Sequence, residues 1–276
     1  MNELALFAGA GGGILGGHLL GWRTVCAVEW ESYPASVLCA RQNDGLLPPF
    51  PIWDDVQTFD GKPWRGIVDV VSGGFPCQDI SVAGNGDGLD GERSGMWREM
   101  ARIIGEVRPR FTFVENSPML VTRGLERVLA DLTAMGYDSR WGVVSASEIG
   151  ANHRRERIWI VGKLANSNSG SIKTFCKPRI LEKSDFEGEA NRYAHGSSKK
   201  NVGNTKGTGF TPCIERQRQR ESWRTSIGSS QWWSFEPNVD RVADGVAARV
   251  DRLKAIGNGQ VPLCAATAWR ILSEQK

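Results

Sequence analysis

A short apolar run at 4–7 passes at once into Ala8-Gly9-Ala10-Gly11-Gly12-Gly13-Ile14-Leu15-Gly16-Gly17, and no other stretch narrows the possible folds as much. A run of that length bounded by glycine reads as a buried strand, and the stretch that continues through Leu20 reads as a helix. Residues 4–20 are therefore expected to form a strand, a glycine loop and a helix. Strands that alternate with helices imply a parallel sheet, whose ligands collect at the carboxyl ends of its strands. The spacing Gly11-x-Gly13-x-x-Gly16 satisfies a dinucleotide-binding fingerprint, but a match is nearly guaranteed in so glycine-rich a run. It points to a nucleotide-like ligand without saying which.

The same alternation continues along the chain. A strand over 24–28 ends in Glu29-Trp30, where a carboxylate can accept from ribose hydroxyls and an indole can stack on a base. A helix over 33–43 and a third short strand lead to Asp54-Asp55-Val56, which places an acid after that strand. The run at 67–71 reads as a buried strand that delivers Gly73-Gly74-Phe75-Pro76-Cys77-Gln78-Asp79-Ile80-Ser81 to the sheet edge. Pro76 fixes its own φ and keeps Phe75 extended, which would aim the Cys77 thiol in a defined direction. A buried, inert cysteine in a tight turn is the competing reading.

Residues 82–96 carry Gly84, Gly86, Gly88, Gly91 and Gly95 among polar side chains, which suits a loop that closes over a substrate, or a plain connector. A helix over 96–107 follows, then a buried strand from Phe111 that ends in Glu115-Asn116-Ser117, a helix over 124–135 and a strand over 137–144. His153-Arg154-Arg155-Glu156-Arg157 leads into a strand at 158–161. In extended chain His153, Arg155 and Arg157 fall on one face.

At 276 residues the chain has room for one large domain and a small one. Its six cysteines form no Cys-x-x-Cys pair, so neither a disulfide framework nor a metal site is expected. No leader or long apolar segment stands out, so no membrane association is expected and a reducing cytoplasm is. The net charge is only +3, yet Lys and Arg outnumber Asp and Glu between 164 and 236, a local excess that suits nucleic acid. There Arg216-Gln217-Arg218-Gln219-Arg220 lies near Trp223, Trp232 and Trp233. The expected division is a catalytic and cofactor-binding domain over 1–163, a small recognition region over 164–235, and a segment over 236–276 that returns to the first.

These stretches, taken in order, resemble the motifs of the bacterial and phage cytosine-5 DNA methyltransferases. The matching residues are Phe7-x-Gly9-x-Gly11-Gly12, Glu29-Trp30, Asp55-Val56, Gly74-Phe75-Pro76-Cys77-Gln78, Glu115-Asn116, His153-x-Arg155-x-Arg157 and Gly257-Asn258-x-x-Val261-Pro262. Three positions depart from the pattern: Ala5 stands where many members carry Asp, Ser117 where they carry Val, and His153 where they carry Gln.

The resemblance implies an α/β fold, a doubly wound, Rossmann-like sheet of the S-adenosylmethionine-dependent methyltransferases with a small inserted target-recognition region. It implies S-adenosylmethionine held by Phe7, Gly9, Gly11, Gly12, Glu29, Trp30, Asp55, Val56, Gly74, Pro76, Asn258 and Val261. It assigns catalysis on a flipped cytosine to Cys77, Glu115, Asn116, Arg155 and Arg157, with no metal. Double-stranded DNA is the implied partner of a monomeric enzyme, with a cognate restriction endonuclease where the setting is restriction–modification rather than phage self-protection. An RNA cytosine-5 methyltransferase of related fold would share the pocket and Cys77. A noncatalytic DNA-binding remnant and an NAD-binding protein are the other readings, and Pro76-Cys77-Gln78 with Glu115-Asn116 argues against both.

Overall fold

Successive side chains of β1 (Asn2–Leu6) turn to opposite faces, so Leu4 and Leu6 join one apolar cluster and Ala5 another. The structure, a computed structural model, describes residues 1–76, 95–165 and 249–274. Cys77, residues 82–94 of the glycine-rich loop expected over 82–96 and nearly all of the expected recognition region lie outside the described residues. The chain divides into two units, Met1–His195 with Leu253–Lys276 and Gly196–Arg252. Of the second unit the described residues include only 249–252, the first turn of a helix.

Seven strands form a mixed sheet in the first unit. They are β1, β2 (Arg23–Val28), β3 (Ile52–Trp53), β4 (Val70–Gly74), β5 (Phe111–Asn116), β6 (Tyr137–Ser145) and β7 (Glu156–Leu164), in the order β3-β2-β1-β4-β5-β7-β6. The first five run parallel, and β7 lies antiparallel between β5 and β6. The helices among the described residues are α1 (Gly12–Leu19), α2 (Ser32–Asn43), α3 (Gly95–Val107), α4 (Leu120–Arg123), α5 (Leu125–Ala134), α6 (Arg249–Asn258) and α7 (Pro262–Ser273).

On one face Leu4, Leu6, Val71, Val114, Ile158 and Ile160 meet Met100, Ile103 and Ile104 of α3 and Val128 and Leu132 of α5. On the other face Phe113, Trp159 and Val161 meet Ala265, Ala268, Trp269 and Leu272 of α7. Helices on both faces of a largely parallel sheet are the doubly wound architecture expected from the sequence. Trp269 holds α7 down, with its ring edge-on to Trp22 at 4.6 Å, Phe111 at 5.2 Å and Phe113 at 5.4 Å. Gly16 lets α1 approach α7, because a Cβ there would come 2.7 Å from that of Ala265. No helix among the described residues is long and apolar enough to cross a membrane.

Two expected boundaries move. The strand expected over 67–71 begins at Val70, and Ile67 sits half-exposed in the turn before it. The reason is tertiary: Asp69 accepts the Asn2 N–H at its carboxylate (2.7 Å) and the Phe111 N–H at its carbonyl (2.9 Å), which fixes the register with both neighbours. Gly73 and Gly74 therefore lie within the strand, paired with Leu6 and Glu115, rather than beyond it. The strand expected at 158–161 is longer and starts at Glu156. Asn152 and His153 form a bend before it, so the one-face argument covers only Arg157, and His153 is exposed.

Glu3 is buried in β1, where its carboxyl accepts from Thr24 Oγ1 (2.8 Å) and Ser72 Oγ (2.6 Å). Burial outweighs these two bonds and pushes its pKa up to about 7. The folded acid keeps a proton that the unfolded chain gives up from about pH 4.5, so its contribution is complete below that pH and is lost as pH rises toward about 7. Glu3→Gln mimics the protonated acid. Between pH 5 and 7.5 the wild type should lose about 2 kcal/mol of stability relative to this variant, read as the difference between urea unfolding curves.

Candidate active site

The parallel register of β4 and β5 sets Gly74 directly opposite Glu115 at the carboxyl edge of the sheet. A Cβ at Gly74 would run into Glu115 Oε2, so a larger residue there would have to push that carboxyl aside. Glu115 is buried, and Arg157 of the antiparallel β7 reaches it with Nε 3.0 Å from Oε1. Burial raises the pKa of this carboxyl, while Arg157, the Gln260 amide and Arg155 pull it back toward ionisation. A carboxyl so balanced can hold or release a proton at modest cost, which is what proton transfer to a bound base requires.

Asn116, next along β5, is also buried. Its Nδ2 donates to the Phe75 carbonyl (3.0 Å) and its Oδ1 accepts the Ser117 N–H (2.7 Å). The side chain thereby ties the end of β5 to the Phe75-Pro76 peptide, which Cys77 follows in sequence. Phe75 itself is buried, with its ring centroid 5.5 Å from that of Trp97 in α3, and Pro76 is exposed.

At the tips of β1 and β2 the chain bends sharply. Phe7, Gly9 and Gly11 take positive φ values of 51°, 54° and 90°, which for Phe7 costs on the order of 1–3 kcal/mol. Buried Glu29 fastens this loop: its Oε2 accepts the Gly9 N–H (2.7 Å) and its Oε1 the Glu31 N–H (2.8 Å). Burial raises the Glu29 pKa, against these two backbone bonds. A carboxylate has about four acceptor positions, so both oxygens retain capacity for further donors. A Cβ at Gly9 would meet nothing within 4 Å, and beside it the Trp30 side chain is 73 % exposed.

Asp55 and Val56 follow β3 in a turn in which Asp55 Oδ1 accepts the Gln57 N–H (2.8 Å). The sequence offered no sign of what holds this turn. Arg102 of α3 donates to the carbonyls of Val56 (2.8 Å) and Phe59 (3.0 Å) while paired with Glu99 and Glu106. On the sequence it is one charge among several on an amphipathic helix.

The C-terminal segment closes over this edge. Lys254 of α6 pairs with Glu31 (2.8 Å), and Arg155 donates to the carbonyls of Gly257 (2.7 Å) and Gly259. Arg155 thus braces the chain around Asn258, which is exposed, while Arg157 faces Glu115. Val261 packs against the apolar cluster under α7. Between them Gln260 donates from Nε2 to Glu115 Oε2 (3.2 Å). It occupies one of the variable places in Gly-Asn-x-x-Val-Pro, and nothing in its spacing singled it out.

The family model of the C-5 cytosine-specific DNA methylases matches residues 1–260. The type II methyltransferase M.CviJI of Paramecium bursaria Chlorella virus IL3A is 33 % identical over 158 residues, which cover 56 % of this chain and 41 % of that protein. M.Eco47II of Escherichia coli is 36 % identical over 169 residues, covering 57 % of this chain and 38 % of the relative. The match therefore spans about two fifths of the length of each relative. Among solved structures, a mutant of Spodoptera frugiperda DNMT2 superposes with a TM-score of 0.52 at 19 % identity, covering 67 % of this chain and 56 % of that one. At that identity the likeness speaks for the fold.

Replacing Asn116 by Asp puts an oxygen where the Phe75 carbonyl now receives a proton donor. Asn116→Asp should cost about 1–3 kcal/mol, seen as a lower urea midpoint with an unchanged slope.

Proposed function

Because the chain belongs to the C-5 cytosine-specific DNA methylase family, we propose that it methylates carbon 5 of a cytosine flipped out of double-stranded DNA. The observation that carries this reading is the buried Glu115–Arg157 pair, set opposite the strand end that leads through Pro76 into Cys77. Carbon 5 of cytosine is a weak nucleophile, and the residue types gathered here answer that problem.

The Cys77 thiolate adds to carbon 6, and the ring electrons move toward N3. Glu115 gives its proton to N3, and Arg157 keeps that carboxyl aimed while its remaining N–H groups face the exocyclic oxygen. The ring is now an enamine with electron density at carbon 5. S-adenosylmethionine supplies an electrophilic methyl group when bound. Once carbon 5 is substituted, its proton leaves to solvent, the carbon 6–sulfur bond breaks, and N3 returns its proton to Glu115. Cys77 emerges as thiolate.

The residues present fit that cofactor. Open space lies over Gly9, the Glu29 carboxylate has capacity for two ribose hydroxyls, the exposed Trp30 ring offers a face to adenine, and Asp55 stands ready for its amine. No metal takes part. Residues 164–235 read the DNA sequence in this proposal, supported by their excess of Lys and Arg, and their contacts with phosphates make binding salt-dependent. The setting is the cytoplasm of a bacterium or of a phage-infected cell, with a monomer acting beside a cognate nuclease or in self-protection.

Bisulfite sequencing of DNA from a methylation-deficient host that expresses the chain should show methylated cytosines in a fixed sequence context. Methyl transfer to tRNA but not to duplex DNA would assign the substrate to RNA instead. Duplexes with 5-fluorocytosine at the target should trap the enzyme in an adduct that survives denaturation, and Cys77→Ser should abolish both adduct and turnover. Glu29→Ala should weaken S-adenosylmethionine binding roughly ten- to a hundredfold by calorimetry, the loss expected for charge-assisted bonds in a buried site.

A further inference from the structure

Three glycines, Gly12, Gly13 and Gly74, turn out to surround one residue of the C-terminal segment. A Cβ at Gly12 would strike the Gln260 carbonyl oxygen, and one at Gly13 would strike Gln260 Oε1. One at Gly74 would come 3.0 Å from Gln260 Nε2 as well as striking Glu115. The amide of Gln260 therefore lies between the glycine loop and the end of β4, with Nε2 on Glu115 Oε2 at 3.2 Å. Arg157 holds the other carboxyl oxygen. The two donors take different oxygens, so together they restrain the orientation of the carboxyl as well as its charge.

We propose that Gln260 is a positioning residue, which orients the Glu115 carboxyl and transmits to it the position of the glycine loop at Gly13. The inference rests on the reading of Glu115 as the proton donor to N3. Its surroundings support it: Arg155 braces the carbonyls of Gly257 and Gly259 on one side of Gln260, and Val261 is packed against the core on the other, so the backbone that carries the amide is held at both ends. The Gln260 amide fills the place that a side chain at Gly13 would take, so the loop and the amide lie close together there.

The amide donates to the ionised carboxyl, so removing it leaves the proton more tightly held. Gln260→Met keeps the length and apolar volume of the side chain without its donor. With the protein labelled at its glutamate carboxyl carbons and Glu115 assigned by Glu115→Gln, carbon NMR should show Glu115 in Gln260→Met titrating at higher pH than in the wild type. The loss of orientation should lower kcat roughly tenfold while KM for S-adenosylmethionine changes less than about twofold, the size expected for one bond to a charged group.

Gly13→Ala provides the second variant, because its methyl displaces the Gln260 amide rather than a backbone atom. It should raise the Glu115 titration in the same direction, and the double variant should add nothing to Gln260→Met alone. An unshifted Glu115 titration in Gln260→Met, or additive shifts in the double variant, would overturn the inference. The titration does not depend on methyl transfer. A shifted titration in a protein that leaves no 5-methylcytosine overturns the proposed reaction and upholds the link, whereas normal methylation with an unshifted titration overturns the link alone.

Discussion

A carboxyl held out of water at the edge of a sheet is a demand that the rest of the chain has to meet. Moving an ionised carboxylate out of water costs several kcal/mol, and the donors delivered to Glu115 from elsewhere offset that only in part, so its pKa stays raised. Arg157 arrives on β7, which runs against the direction of the other neighbours, and Gln260 arrives from more than a hundred residues downstream. Neither donor alone occupies both oxygens. The antiparallel insertion of β7 beside β5 and the return of the C-terminal segment are in this sense requirements of one side chain.

That return works because glycine has cleared its path. Gly16 lets α1 and α7 approach each other, Gly12 and Gly13 admit the backbone and the amide of Gln260, and Gly74 admits the Glu115 carboxyl. Trp269, edge-on to three aromatic rings, anchors the helix that follows. Gly9 differs from these, since its missing side chain leaves open space beside Glu29 and Trp30. The loop thus divides its glycines between internal closure and an outward-facing recess.

Carboxylates at strand tips follow one pattern throughout this edge. Glu29 accepts backbone N–H groups from Gly9 and Glu31, and Asp55 accepts one from Gln57, so each shapes the turn it stands in before any ligand is considered. Glu115 is the exception. Its donors Arg157 and Gln260 are side chains, which makes its proton affinity sensitive to how distant segments are placed. Glu3 shows the same sensitivity in the sheet interior, where two hydroxyls meet a carboxyl whose pKa burial raises to about 7.

The alternation of apolar runs, glycine loops and amphipathic helices was sufficient to give the α/β class and the set of strand ends at which polar residues gather. These follow from local periodicity and from turn chemistry, which residues near one another in sequence decide. The start of β4 could not be read, because Ile67 and Val68 are as apolar as Val70 and Val71, and only the bonds Asp69 makes to Asn2 and Phe111 choose among them. Likewise the face assigned to His153 presumed extended chain where the structure has a bend, and Arg102 and Gln260 gave no sign of their partners. Register, close approach and the pairing of a buried charge are long-range facts. They depend on which segments meet across the sheet, and tertiary packing alone decided them.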